Sequence, residues 1–331
     1  MIEVKNITKI FKKPVRKQGI GGMIKTLFSN KYDSVVAVNN ISFTIHTGEI
    51  VGYIGSNGAG KSTTIKMMCG ILTPTSGQIL IDGMEPYNSK TRNKVTKNIG
   101  VVFGQRSQLW WDLPLIETFR LLKLIYEVPD TEWNERFEYF KEVLDIGKFL
   151  NSPARTLSLG QRMRADLAAS LLHNPKVLFL DEPTIGLDVL VKEKILTAIK
   201  DINKKFNTTV IVTTHDMNDI TELCKRIIII DEGNILYDGP LKNIKNRFGD
   251  IRHIYISSSE RMNLATFNAA FEHKLSFEKD ENFLIISFDA AILSINDIVN
   301  YIFQNCKVKD FKITENNIES VVKKIYEEKS I

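Results

Sequence analysis

Glycines, a lysine and a serine follow one another as phosphate chemistry requires in Gly55-Ser-Asn-Gly-Ala-Gly60-Lys61-Ser62, a match to G-x-x-x-x-G-K-[ST]. Gly55, Gly58 and Gly60 let the backbone curl, so that the N–H groups of Ser56, Asn57 and Ala59 turn toward phosphate oxygens. A helix opening at Lys61, Ser62 and Thr63 adds its positive end to the same place. Lys61 is then placed to bridge the β- and γ-phosphates of a nucleoside triphosphate, and Ser62 to ligate Mg²⁺. The loop alone leaves kinases, GTPases and ATPases open.

An acidic pair narrows that choice. In "KVLFLDEP" the apolar run Val177–Leu180 predicts a buried strand that delivers Asp181 to the Mg²⁺ shell at its carboxyl end. Glu182 points to the other side and can polarise an attacking water. Taken alone, such a pair is also what closes a strand as a helix-capping turn. A third stretch, "RTLSLGQRMRADLAASLLHNP", opens a helix at Ser158, Leu159, Gly160 and Gln161. Their N–H groups and the Ser158 hydroxyl make a second anion site. One chain already has a cradle in Gly55–Ser62, so the second one serves a nucleotide held by another copy or a paralogue. The expected assembly is a head-to-tail dimer with nucleotide between subunits. An ordinary N-cap explains the same residues when they stand alone.

These residues need a frame, and the chain supplies an alternation of strands and helices. Aliphatic runs at Glu49–Ile54, Asn98–Phe103, Val177–Leu180, Thr209–Thr213 and Arg226–Ile230 read as strands. Helical patterns occupy Lys61–Cys69, Glu117–Tyr126, Glu135–Leu144, Gln161–Leu172 and Val191–Phe206. Strands apolar almost throughout, separated by helices, argue an α/β core. The character changes near Pro240. A strand (Ile251–Ser258), a helix (Glu260–His273), two strands (Leu275–Glu278, Phe283–Phe288), a helix (Ile292–Cys306) and a strand (Lys309–Ile313) follow, with a last helix at Asn317–Glu327. That order is a split β-α-β, ferredoxin-like α+β domain with one helix added. The expected domains are residues 1–240 and 241–331.

With these motifs in this order, Ile2–Asp238 resembles an ATP-binding-cassette (ABC) ATPase subunit. The resemblance implies a P-loop α/β core, a helical subdomain over about 105–172, and ATP with Mg²⁺ as the bound species. It makes Gln105 the glutamine that reaches Mg²⁺ and the attacking water. It makes Ile185-Gly-Leu-Asp188 the D-loop, with Asp188 among the nucleotide-binding residues, and His215 the histidine that contacts the γ-phosphate. Phe11 matches the aromatic that stacks on adenine, although the alternation in "ITKIF" also suits core packing. Two departures stand out. Leu159 replaces a glycine of the family's signature, and the loop before Gln105 is one residue longer than the usual pattern.

The resemblance also implies partners: transmembrane permease subunits as separate chains, a second ATPase subunit, and a peripheral place at the cytoplasmic face of the membrane. The adjacent Trp110 and Trp111 lie where such subunits receive the permease, and neighbours cannot share one buried face. At least one of them is expected to meet the partner, unless loop irregularity lets the subdomain absorb both. The basic insert Lys12–Asp33 places Ile20, Met23, Ile24, Leu27 and Phe28 on one helical stripe. Two readings stand for it, an interfacial helix near anionic lipid or permease and a stripe packed on the domain's own sheet. These features, with the extra C-terminal domain, most resemble cassettes of bacterial drug- and sodium-efflux exporters. For the C-terminal domain itself, dimer contact or regulation is expected.

Bulk properties narrow the classes further. The 331 residues carry a net charge of +5, too mild by itself to call for nucleic acid, and none is expected as a ligand. Three scattered cysteines, Cys69, Cys224 and Cys306, form neither a disulfide frame nor a zinc site. No apolar run approaches the roughly 18 residues of a membrane span, and the polar, alternating start is no signal peptide. The rival class is a soluble ABC protein acting on nucleic acid or the ribosome. Its members carry two cassettes in one chain or a long heptad insertion, and neither occurs here.

Overall fold

The computed structural model describes residues 1–14, 32–104, 106–247, 251–258, 263–280 and 283–315, together with 321, 322 and 325. The chain divides into two compact units, Met1–Gly239 and Pro240–Ile331.

The first unit is built on a six-stranded sheet. Its strands are β3 (Ile50–Gly55), β5 (Ile99–Phe103), β6 (Val177–Asp181), β7 (Thr209–Thr213), β8 (Arg226–Asp231) and β9 (Asn234–Pro240), in the order β5-β6-β7-β3-β8-β9. The pairs β5/β6, β6/β7, β3/β7 and β3/β8 are parallel. Such a sheet is covered on both faces, which is why Leu178–Leu180 and Ile227–Ile230 are fully buried. Parallel pairing brings the strands' carboxyl ends to one edge, with Asp181 opposite both Phe103 and Thr213.

A second, antiparallel sheet joins β1 (Ile2–Pro14), β2 (Tyr32–Ile45) and β4 (Ser76–Ile81) in the order β2-β1-β4. Ile2, Val4, Ile7, Val38 and Phe43 from these strands share one core with Tyr53, Ile65 and Met67. The β1/β2 ladder continues to Lys12↔Ser34, Lys13↔Asp33 and Pro14↔Tyr32. Both ends of the expected insert are therefore strand, because each further antiparallel pair adds backbone hydrogen bonds to the ladder. Residues 15–31, which carry the Ile20–Phe28 stripe, lie outside the described residues.

Helices Leu115–Ile125, Asp130–Val143 and Leu159–Leu171 lie between β5 and β6. The first two start earlier than the expected Glu117 and Glu135, directly after Pro114 and Pro129. Proline suits that boundary, where an N–H would have no helical partner. The longer start buries Leu115 and Trp133. The helix Val189–Phe206 buries Ile195, Ala198, Ile199 and Ile202, the stripe of an amphipathic helix against a sheet.

In the second unit, β10 (Ile251–Ser258), β11 (Ser276–Lys279), β12 (Leu284–Asp289) and β13 (Val308–Glu315) form an antiparallel sheet in the order β11-β12-β10-β13. That is the order of a split β-α-β unit. Ile254, Ile256, Ile286 and Phe288 pack with Phe267, Ile298 and Ile302 from helices Leu264–Ala270 and Ile295–Asn305. The helix expected over Glu260–His273 is shorter: Asn263 caps its start, and Glu272 and His273 turn to φ 55° and 59°, outside helical space. Of the helix expected over Asn317–Glu327, only Val321, Val322 and Ile325 are described; they are helical and buried.

Candidate active site

The cradle forms where β3 hands over to the helix Lys61–Met68. Gly58 and Gly60 take φ 85° and 106°, the region that disfavours side chains. A Cβ on Gly60 would lie 2.4 Å from the Ala37 carbonyl, and one on Gly55 2.3 Å from the Ile230 carbonyl. The helix start has no side-chain cap, so its N–H groups remain available to an anion. Thr64 anchors the turn from below, its Oγ1 donating to Gly60 O at 3.1 Å and lying 3.3 Å from the buried Tyr53 hydroxyl. Ser56 Oγ donates to Asp231 Oδ1 at 2.6 Å, fastening the loop to the end of β8.

Lys61 Nζ folds back over the loop and donates to Gly55 O at 2.7 Å and Ser56 O at 3.0 Å. Burial pulls its ammonium below the ordinary lysine value, while Glu182 and Asp181 act in the opposite direction. Both carboxylates line the same cleft as Lys61. Ser62 Oγ lies 3.4 Å from Asp181 Oδ2, and Thr213 Oγ1 donates to Asp181 Oδ1 at 2.5 Å. Glu182 sits at φ 55°, with its N–H donating to Thr213 O at 2.9 Å. Glu182 Oε1 is 3.5 Å from His215 Nδ1, and the His215 side chain is 65% exposed.

Ser56, Asn57, Gly58, Gly60, Lys61, Ser62 and Thr63 line one cleft of about 490 Å³ with Asp181 and Glu182. Ala59 is buried beneath it. Phe11, half-buried with the Lys9 ammonium 5.4 Å from its ring centroid, does not line the cleft. Gln105 lies outside the described residues. Ser158, Gly160, Gln161 and Asp188 do not line the cleft either. Ser158 Oγ accepts from Gln161 N at 3.2 Å and Gln161 Oε1 accepts from Ser158 N at 2.9 Å, a complete capping box. Asp188 caps the helix Val189–Phe206, accepting from Val191 N at 3.0 Å. The two loops abut: a Cβ on Gly160 would come within 2.9 Å of Val191, and one on Gly186 within 3.2 Å of Leu159. Ser158 and Asp188 thus lie on one exposed edge that does not line the chain's own cleft.

Some participants were not legible beforehand. Thr213 holds Asp181, and Gly104 donates its N–H to Asp181 O at 2.8 Å where a Cβ would meet the Glu182 carbonyl at 2.8 Å. Arg106, Lys66 and Ile71 also line the cleft. Strand order, absent from the sequence, is what places Thr213 beside Asp181.

A phosphate cradle at the carboxyl edge of a parallel sheet, with an acidic pair at the end of β6, two strands away, defines a P-loop nucleotide-binding cassette. The ABC transporter family model matches residues 38–185. The probable multidrug ABC transporter ATP-binding protein YbhF of Escherichia coli is 36% identical over 66% of this chain, and the match spans only 37% of YbhF. The methionine import ATP-binding protein MetN 2 of Enterococcus faecalis is 30% identical over 89% of this chain and 86% of its own length. A dimeric structure of the ATP-binding cassette MJ0796 in a post-hydrolysis state with ADP and Pi superposes with a TM-score of 0.61 at 29% identity, covering 73% of this chain and 99% of that one. The chain belongs to the ABC transporter ATP-binding protein family, whose cassettes are ATPases.

Proposed function

We propose that the chain is the ATP-hydrolysing subunit of an ABC exporter, working as a dimer on separate permease subunits at the cytoplasmic face of the membrane. One observation carries the reading. The Ser158 turn is exposed and does not line the cleft that gathers Lys61, Ser62, Asp181 and Glu182. Its phosphate partner is then the nucleotide of a second subunit, this chain or a paralogue. The dimeric MJ0796 cassette supports the same arrangement.

In each composite pocket the cradle N–H groups and Lys61 hold the β- and γ-phosphates. Ser62 and Asp181 are hard oxygen donors on one side of the cleft, a set that suits Mg²⁺; when bound, the ion neutralises phosphate charge. Glu182 takes a proton from the attacking water. His215, 3.5 Å from Glu182, orients beside it toward the γ-phosphate. The opposing Ser158 turn adds N–H donors where charge develops, contacts worth about 3–4 kcal/mol each in preorganised sites.

Trp110 and Trp111 are 41% and 53% exposed, and Trp111 lies under the Arg162 guanidinium at 5.3 Å, on the helix that Ser158 begins. This supports the pair as a permease contact that reports to the Ser158 turn. Among the described residues no helix is long and apolar enough to cross a membrane, consistent with permease chains supplied separately. Export follows the multidrug name of YbhF and the exporter-like stretch around the tryptophans. For the second unit the reading is dimer contact or regulation.

Complementation tests the composite pocket. Lys61→Ala and Ser158→Arg chains are each expected to be inactive, yet their mixture regains ATPase activity, because a heterodimer contains one pocket with both parts intact. No activity in the mixture refutes the dimer reading.

A further inference from the structure

The loops that follow Glu182 and His215 meet over a charged cluster that the hydrolysis scheme leaves unused. Asp219, on the helix Met217–Leu223, is 1% exposed. Thr184, two residues past Glu182, donates its Oγ1 to Asp219 Oδ2 at 2.5 Å. Lys192 Nζ stands 2.7 Å from Asp219 Oδ1 and also donates to Asp216, the residue after His215. Asp216 Oδ1 in turn accepts from Asn218 N at 2.9 Å, capping the helix. Lys192 is rooted on the other side, its N–H donating to Asp188 O at 2.9 Å.

Two physical points mark this lysine. It lies in the first turn of its helix, where the dipole disfavours a cation, so helix stability does not explain it. A carboxylate as buried as Asp219 needs a charged partner, and removing that partner is costly. Burial by itself pulls the Lys192 ammonium down, but its bonds to Asp216 and Asp219 hold it above the ordinary lysine value. The hydrogen bond from Lys192 holds Asp216 below the usual carboxylate range.

We propose that Lys192 is a positioning residue for ATP hydrolysis: by bridging Asp216 and Asp219 it sets the loop bearing His215 against the segment Glu182–Asp188. The inference rests on the roles given to Glu182 and His215 above. It ties the exposed Asp188 edge to the catalytic pair within one subunit, so a shift of that edge on dimer closure moves His215 as well.

Steady-state hydrolysis by the full chain, with binding of a fluorescent ATP analogue measured in parallel, is the test. Lys192→Met is expected to lower kcat about 10- to 100-fold, the effect of a misplacement of about 1 Å, with KM and analogue affinity nearly unchanged. Lys192→Arg, which keeps the cation, restores most of the rate. A wild-type kcat in Lys192→Met, affinity lost in step with kcat, or an arginine variant no faster than the methionine one overturns the proposal. Lys192→Met also strands the Asp219 charge and can unfold the chain, so the double variant Lys192→Met/Asp219→Asn removes both charges together. Slow turnover by the folded double variant supports the role, and a wild-type rate refutes it. His215→Ala reports separately. Full activity there removes the reading of the site, whereas its loss alongside a fast Lys192→Met removes only the positioning role.

Discussion

Thr213 Oγ1 donates to Asp181 Oδ1 at 2.5 Å, joining the carboxyl ends of two parallel strands just below the cradle. The other carboxylate oxygen faces Ser62 at 3.4 Å, so the threonine orients the acid toward the place of the metal. Thr213→Val keeps the shape and deletes that bond. The Mg²⁺ concentration for half-maximal ATPase should rise by about 10-fold or more, the usual cost of losing an outer partner of a metal ligand. An unchanged Mg²⁺ titration would separate Thr213 from metal binding.

Glu182→Gln removes a proton acceptor while leaving the cradle untouched. Hydrolysis should fall by about 10²- to 10⁴-fold, with ATP still bound and the dimer accumulating in its presence. Turnover rate and gel-filtration volume, with and without ATP, check both halves. A near wild-type rate would remove Glu182 from its role.

Gly58 and Gly60 share a left-handed backbone but differ in their surroundings. Around Gly58 a Cβ would meet nothing within 4 Å, whereas at Gly60 it would strike the Ala37 carbonyl at 2.4 Å. Gly58→Ala should therefore cost only conformational strain, about 1–2 kcal/mol. Gly60→Ala must also displace the loop or β2, and should abolish nucleotide binding. Calorimetric titration with an ATP analogue distinguishes the two, and equal losses would contradict the geometry.

Asp166 titrates in an unusual range. Burial raises its carboxyl to about 6, against the Gln108 N–H, the Ser107 hydroxyl and the nearby Arg162, which all pull it down. Between about pH 4 and 6 the folded chain holds a proton that the unfolded chain has released. This group's contribution to stability therefore falls as pH rises through that window and is level above it. Asp166→Asn keeps an acceptor for Ser107 and Gln108 and should flatten that slope. Urea midpoints across the window, in both proteins, provide the measurement; parallel curves would refute the assignment.

Trp110→Ala and Trp111→Ala should leave basal hydrolysis intact, and at least one should lose its stimulation by the permease. Rates with and without reconstituted permease decide this. Stimulation unchanged in both variants would end the docking reading.

How far the sequence reaches is visible in particular elements. The strands of the parallel core were readable to within about a residue, because strands buried on both faces are apolar throughout and leave a pattern that needs no knowledge of neighbours. Helices opened by proline were read too short, since Pro114 and Pro129 look like loop residues and the turn after each, buried at Leu115 and Trp133, was counted with them. The insert was read two to three residues too long at each end, because polar ladder residues such as Lys13 and Asp33 look like loop until their partners are known.

By itself the sequence determined the local chemistry: a glycine curl before Lys61, an acidic pair after an apolar run, and a serine with a glutamine three residues on. Each is a short-range constraint in which residue type and spacing dictate backbone shape. Tertiary structure alone decided which of these meet. Parallel strand order set Thr213 beside Asp181, helix packing set Lys192 between Asp216 and Asp219, and the fold left the Ser158 turn outside the lining of its own chain's cleft. Those encounters depend on the packing of segments distant along the chain, which no spacing of residues encodes directly.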